Sequence, residues 1–237
     1  LESDYPLPPL SVPCPVVSDA AHPYSSNQTG RQPTFRIADV SNPILQPWAA
    51  DSLRKTNEAT RAGKVPFSPR ETCWLPGVPG SGVFSRLRPN YFLQTPTQVT
   101  IINEGDAQVR RVYLNVPHSP NPKPSWYGES VGHYENGDTL VVDTIGLNAK
   151  TFVDLYLTPH TEKLHVVERF KLMPGGKVIE LTITVEEERA FTAPWSARQT
   201  YHQKPQAKME EAICAENNIH MFNHGYVPPP EAEKPDF

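Results

Sequence analysis

The chain has 237 residues and a mass of 26.5 kDa, the size of one generous domain or two small ones. Its 22 basic and 26 acidic residues leave a net charge of −4 with no basic stripe, which excludes a non-specific nucleic-acid binder, and no apolar run approaches the roughly 18 residues of a transmembrane helix. Proline is the outlier, 27 residues or about twice the usual ~5%, and that density excludes an all-α bundle because proline breaks helix interiors.

Residues 1–45 are rich in Pro, Ser and Asn, and 6–15 read as polyproline II and extended chain, an arm that wraps over a core built later. Asn27-Gln28-Thr29 within it is a glycosylation sequon, a short and weak pattern. Residues 47–62 are the best helix: Pro47 suits its first turn, Gly63 offers a left-handed cap, and Trp48, Ala49, Leu53, Ala59 and Ala62 form a modest apolar stripe. Residues 64–90 read as loop, with consecutive turns over 74–82.

From residue 91 the hydrophobic period becomes two. The segments 91–95, 98–103, 108–115, 139–144, 163–172, 178–187 and 197–203 read as strands, with hairpin turns at 103–107 and 173–176. Strands without intervening helices predict an antiparallel meander, closed into a β-barrel or strongly bent into a lipocalin-like sheet so that few edges stay unpaired. A second short helix is expected over 207–217. The organisation is one structural domain: an arm (1–45), a helix and loops packed on the sheet (46–90), and the sheet with its tail (91–237).

Alternation also selects candidate site residues. In the segment 163–172, Leu164, Val166, Glu168, Phe170 and Leu172 share a face, so Glu168 is a carboxylate in an apolar row. A buried charge is costly unless paired, so Glu168 should meet an arginine, a histidine or a ligand. Arg169 then faces outward. Asp143 shares a face with Thr139 and Val141, and Arg111 lies with Val109, Tyr113 and Asn115. His133, next to Tyr134 and Glu135, is a candidate acid–base partner, and His165 a candidate pocket base. Trp126, Tyr134 and Trp195 would form apolar walls.

Gly128-Glu129-Ser130-Val131-Gly132 matches the G-x-S-x-G pattern of a nucleophile elbow, but a turn and a strand follow rather than a helix, so the glycines read as turn residues and Ser130 as a pocket-mouth residue. His118, His133, His160 and His165 show no H-x-H or H-x₃-H spacing, so no metal site is expected. Glu186-Glu187-Glu188 reads as a solvated strand end.

The chain opens at Leu1 without a charged n-region or apolar h-region, which fits a removed signal peptide or a trimmed chain. Cys14, Cys73 and Cys214 form no C-x-x-C pair. In an exported chain a Cys73–Cys214 bridge would tie together both ends of the β-rich region; three reduced buried thiols are the alternative.

Several stretches (45–53, 72–80, 92–105, 125–154, 161–171, 181–195 and 214–218) together resemble a large family of secreted bacterial proteins, and the block at 125–170, with SWYGESVGHYENGDTLVVDTIGLNAKTFVD followed by LHVVERF, is the most specific. The resemblance implies export to the periplasm or medium and supports the Cys73–Cys214 pairing. It marks Ser130, Gly132, Asp138, Thr139, Asp143, Asn148, Asp154, Glu168, Arg169 and Trp195 as motif positions. Members run Trp-Glu-Gly-Asp where this chain has Tyr134-Glu135-Asn136-Gly137-Asp138, one residue longer. The family supplies no reaction.

The functional expectation is a secreted, cofactor-independent acid–base enzyme, a lyase, isomerase or hydrolase, that processes a small organic molecule in a pocket of the sheet. Its catalytic candidates are Glu168, Asp143 and His133; its substrate-binding candidates are Ser130, Trp126, Tyr134, His165, Trp195 and Arg111. One alternative is a non-catalytic carrier of a small apolar ligand. Another is an assembly protein whose N-terminal arm adds as a strand to a neighbour in a homo-oligomer.

Overall fold

The computed structural model describes residues 40–62, 73–80, 89–105, 108–154, 156–211 and 213. The Pro-rich arm up to residue 39, Gly63 and Cys214 lie outside them.

One helix is present among the described residues, α1 (Pro47–Arg61). It starts at Pro47, whose missing N–H is one that no helix start satisfies internally. Ala49 and Leu53, one turn apart, are buried, while Asp51 pairs with Lys55 at 2.9 Å on the exposed side. The helix is pinned to the chain between the last two strands: Gln46 N donates to Ala190 O at 2.8 Å, Thr192 N to Ile44 O at 2.7 Å, and the Trp48 indole to Arg189 O.

Eight strands follow: β1 (Asn90–Gln94), β2 (Gln98–Asn103), β3 (Gln108–Leu114), β4 (Glu129–Glu135), β5 (Thr139–Ile145), β6 (His165–Leu172), β7 (Val178–Glu186) and β8 (Trp195–His202). They form one sheet in chain order, curled into a half-barrel. Every neighbour pair is antiparallel except β3–β4, which is parallel. The meander is thus broken once, and a crossover over 115–128 carries the chain between the two parallel strands. Prolines 117, 120, 122 and 124 keep that crossover free of helix.

β4 was expected as a turn. Gly132 is the reason it is a strand: a Cβ there would lie 2.7 Å from Val141 O and 2.8 Å from Val112 Cγ1, so only glycine lets β3 and β5 close in on both sides. The expected second helix does not start: residues 207–211 are irregular. Tertiary bonds hold this stretch, with Tyr91 Oη donating to Ala207 O at 3.2 Å and Glu210 N to Glu104 Oε2 at 3.0 Å. The sheet is strongly bent rather than closed by strand pairing: β1 and β8 are its two ends, and the chain after β8 reaches β1 and the end of β2 instead. No described helix is long and apolar enough to cross a membrane.

The inner face carries the core. Val112, Leu114, Leu140, Val142, Val166, Phe170, Leu181, Ile183 and Val185 come from it at alternate positions and join Leu45, Ala49, Leu53 and Phe191 in one cluster. Across its floor runs a line of polar residues, one from each of four successive strands. Arg110 (β3) donates from Nε to Ser130 Oγ (β4) at 3.1 Å and from Nη2 to Thr144 Oγ1 (β5) at 2.7 Å, and Nη2 meets Glu168 Oε2 (β6) at 2.5 Å. Glu168 is fully buried and Arg110 nearly so.

Removing one member of such a pair leaves a bare charge inside the core, whereas removing both does not. Arg110→Met should therefore lower the unfolding free energy by about 3–5 kcal/mol, and the Arg110→Met/Glu168→Met double variant should recover most of that loss. Urea unfolding of both single variants and the double variant measures the coupling; a double-variant loss equal to the sum of the two single losses would show that the two side chains are not energetically coupled.

Candidate active site

The strand alternation that sends Glu168 inward sends Asp143, His165, Glu129 and Glu186 to the outer face. His165 lies directly opposite Glu186 across the β6–β7 ladder, and Asp143 opposite Val131 and Val167. The crossover then lays His118 and Ser119 over this face. It is held by a parallel bridge of Ser125 to Leu147, with Ser125 N donating to Gly146 O at 3.0 Å and Asn148 N to Ser125 O at 2.9 Å.

The result is a continuous chain of carboxylates and imidazoles. Asp143 Oδ1 lies 2.9 Å from His118 Nε2 and 3.0 Å from His165 Nε2. The far nitrogens of the two rings reach Glu129 Oε1 and Glu186 Oε2, each at 3.0 Å. Ser119 anchors Glu129, donating from its backbone N at 2.7 Å and from its hydroxyl at 2.5 Å. Both bonds to Asp143 fall on Oδ1 and leave Oδ2 out, and the side chain is 39% exposed.

The electrostatics follow from these contacts. The bond from His165 holds the Asp143 carboxyl below its ordinary range, helped by His118 and opposed by partial burial. The Ser119 bonds do the same for Glu129, ahead of His118. His165 is pushed above the ordinary histidine value, by Asp143 first and Glu186 after, against the effect of burial. Every ring nitrogen in the chain faces a carboxylate oxygen, an arrangement suited to N–H donors at both ends of a ring.

Beside this chain is a surface depression of about 510 Å³, bordered by Arg111, Tyr113, Ser119, Lys123 and Glu129, with Arg110 and Ser130 also in its wall. The β3–β4 ladder pairs only Val112–Leu114 with Ser130–Gly132, so before it the strands splay and the depression reaches inward to Arg110. Arg111 and Lys123 give it two cationic groups.

The sequence-selected residues divide accordingly. Asp143 and His165 meet at the outer face, and Arg111 borders the adjoining depression. Glu168 is on the opposite face, so the single central pocket holding Glu168, Asp143, His133 and His165 together does not exist. His133 is not in the chain: it is exposed and pairs with Glu135 at 3.3 Å, which also binds Arg169 at 2.6 Å. Arg169 thus clamps the outer surface. Ser130 is no elbow nucleophile, since it sits inside a strand, is buried, and shares its hydroxyl with Arg110 and Thr144. Trp126 packs edge-on against Trp74, Trp195 against Phe191, and Tyr134 is largely exposed.

The carboxylates at 186–188 are not all solvated. Glu186 takes His165, and Glu187 is buried, accepting from Thr161 Oγ1 at 3.0 Å. Asp154, half-buried, accepts from the backbone of Tyr156 and Thr158 and from the Thr158 hydroxyl at 2.7 Å, and burial pushes its carboxyl up. Of the four histidines weighed for metal binding, His118 and His165 converge, while His160 bonds Thr151 at 2.7 Å and His133 lies apart. No group of three or more described His, Cys, Asp or Glu residues could hold a metal ion. Cys73 is disulfide-bonded, and Cys14 and Cys214 lie outside the described residues. Arg110, His118, Ser119 and Glu129 are among the residues of these two arrangements that the sequence reading did not nominate for acid–base chemistry or substrate binding.

No family model, curated protein or solved structure matches the chain.

The shifts set a pH window. Asp143 and Glu129 have folded pKa values below their unfolded ones, so their contribution to stability is present above about pH 4 and is lost as pH falls through the folded values. His165 has a raised folded pKa, so its contribution is complete below about pH 6.5 and is lost as pH rises through the folded value. His160, whose pKa burial lowers, acts in the other direction, favouring unfolding as pH falls below about 6.5. The comparison is therefore with His165→Gln. Between pH 6 and 9 the urea midpoint of the parent should fall relative to that of the variant, in which the His160 contribution remains and the His165 contribution is gone. Parallel curves would show that His165 is not charged within the chain.

Proposed function

We propose that the protein processes a small anionic organic molecule by acid–base chemistry at the outer face, with Asp143 as base and His165 and His118 as its proton-donating partners. The observation that carries this reading is one carboxylate oxygen shared by two imidazoles, on a side chain that is 39% exposed and whose second oxygen takes neither bond. An ionised carboxylate fixed at one oxygen is oriented for proton abstraction or for activating a water at the other. When Oδ2 takes a proton, Oδ1 becomes a weaker acceptor, and the ring N–H groups are released to donate to the developing anion of the substrate. Glu129 and Glu186 then hold the rings in place by their far nitrogens, as the third member of a triad does.

Arg111 and Lys123, beside the chain, suit a substrate carboxylate. Elimination, isomerisation and hydrolysis all fit this machinery. Export of the chain, a Cys73–Cys214 bridge and membership of the secreted bacterial family that the 125–170 block resembles belong to the same proposal.

The test is a panel of small hydroxy- and acyloxy-carboxylates, incubated with the protein and followed by proton NMR. Turnover is expected, and Asp143→Asn should slow it by at least about 100-fold in a variant that stays folded, its melting temperature lowered only by the loss of the Asp143 contribution to stability. Arg111→Met should raise KM and leave kcat close to the parent value. Absence of turnover across the panel, or full activity in Asp143→Asn, overturns the reading.

A further inference from the structure

The geometry points to a second binding site on the inner face: a cavity that receives the hydroxyl end of a small neutral alcohol, whose O–H donates to Glu168. This site is separate from the outer-face chain and does not depend on its chemistry.

Glu168 is 0% exposed, and the closest approach of Arg110 falls on its Oε2. Among the described residues neither carboxylate oxygen has a hydrogen-bond partner of good geometry. A buried carboxylate oxygen without a donor costs on the order of 1–3 kcal/mol or more, so the position calls for one.

Glu168 forms part of the wall of a partly open cavity of about 60 Å³, whose lining includes Phe92, Ile101, Phe170, Leu181 and Tyr201. Phe92 and Phe170 meet edge to face, with ring centroids 5.5 Å apart. The Tyr201 phenol is pushed well up, by burial first and by the Glu168 charge second, so that charge is felt at the cavity.

Three features select the ligand. Arg110 already balances the carboxylate, so a cation gains little and an anion meets Glu168 directly. The walls are mostly ring and aliphatic surface, with Asn90, Asn103 and Gln108 as polar members beside Arg110, which favours a largely apolar body with a polar end. The volume admits a narrow –CH₂OH end but no whole ring, leaving the body at the open side.

The experiment is ¹⁹F NMR of the full chain with 4-fluorobenzyl alcohol, against 4-fluorotoluene and 4-fluorobenzoate. The alcohol should bind at least about tenfold more tightly than the toluene, because the site's unpaired acceptor is met only by the alcohol. The benzoate should not compete with it. Glu168→Gln should abolish the preference, but it also strands Arg110 and can unfold the chain. Phe170→Trp therefore serves as the second variant: it fills the cavity from its wall, leaves the ion pair in place, and should remove alcohol binding. Asp143→Asn should leave it unchanged, which separates this site from the outer one. Equal affinity for alcohol and toluene, no binding of the alcohol up to about 10 mM, or undiminished binding in a folded Phe170→Trp variant overturns the inference. So does a crystal structure grown with the alcohol in which only water bonds Glu168.

Discussion

The ion pair between Arg110 and Glu168 is the constraint on which the rest of this fold depends. The two residues stand on β3 and β6, three strands apart, which in a flat sheet is about 14 Å. Their side chains nevertheless meet at 2.5 Å. Curvature of the sheet brings them together, and Ser130 and Thr144, on the strands between, accept two further bonds from the guanidinium. A charge buried this deeply persists only if its partner is in place, so the pair favours one register for four strands at once. Apolar burial supplies the driving force for collapse; the polar line selects which curled arrangement satisfies its buried groups.

Much of the sheet was legible in the sequence because one face of each strand is buried and the other is not. That difference writes a period of two, and seven of the eight strands fall where the period marks them. The same rule placed Glu168 inside. Applied to β3 it also points to Arg110, which shares its row with Val112 and Leu114, whereas the nominated Arg111 shares its own with Val109 and Tyr113. The signal was present and was read on the wrong arginine. β4 was not legible in that way. Gly132 resembles a turn residue, and its purpose, close approach of β3 and β5 on its two sides, exists only once the sheet is assembled. The helix expected after β8 failed for a related reason, since its propensity competes with tertiary bonds to Tyr91 and Glu104.

The candidate site was partly legible at best. Alternation separates inner from outer residues but does not say which outer residues become neighbours. Asp143 and His165 lie on adjacent strands, and their proximity follows from the β5–β6 register. His118 has no periodic context. It sits between prolines in a segment without helix or strand, and its position is fixed by where that segment must cross. His133 has the right chemistry and the right face, yet the ladder places it two residues farther along β4 from Val131, the residue opposite Asp143.

The parallel step between β3 and β4 ties these observations together. A hairpin at that point would have made the next strand antiparallel and needed only a short turn. The parallel pairing instead requires a connection that traverses the outer face, and this connection delivers His118 to Asp143 and Ser119 to Glu129. Because the ladder is only three residue pairs long, β3 and β4 also part below it, and the gap opens the outer depression toward Arg110. The same arginine forms part of the wall of the inner cavity, so it stands between the two spaces with its guanidinium committed to Ser130, Thr144 and Glu168. One irregular connection thus builds the outer site and sets the boundary of the inner one, while the regular meander around it supplies the rigidity that both need.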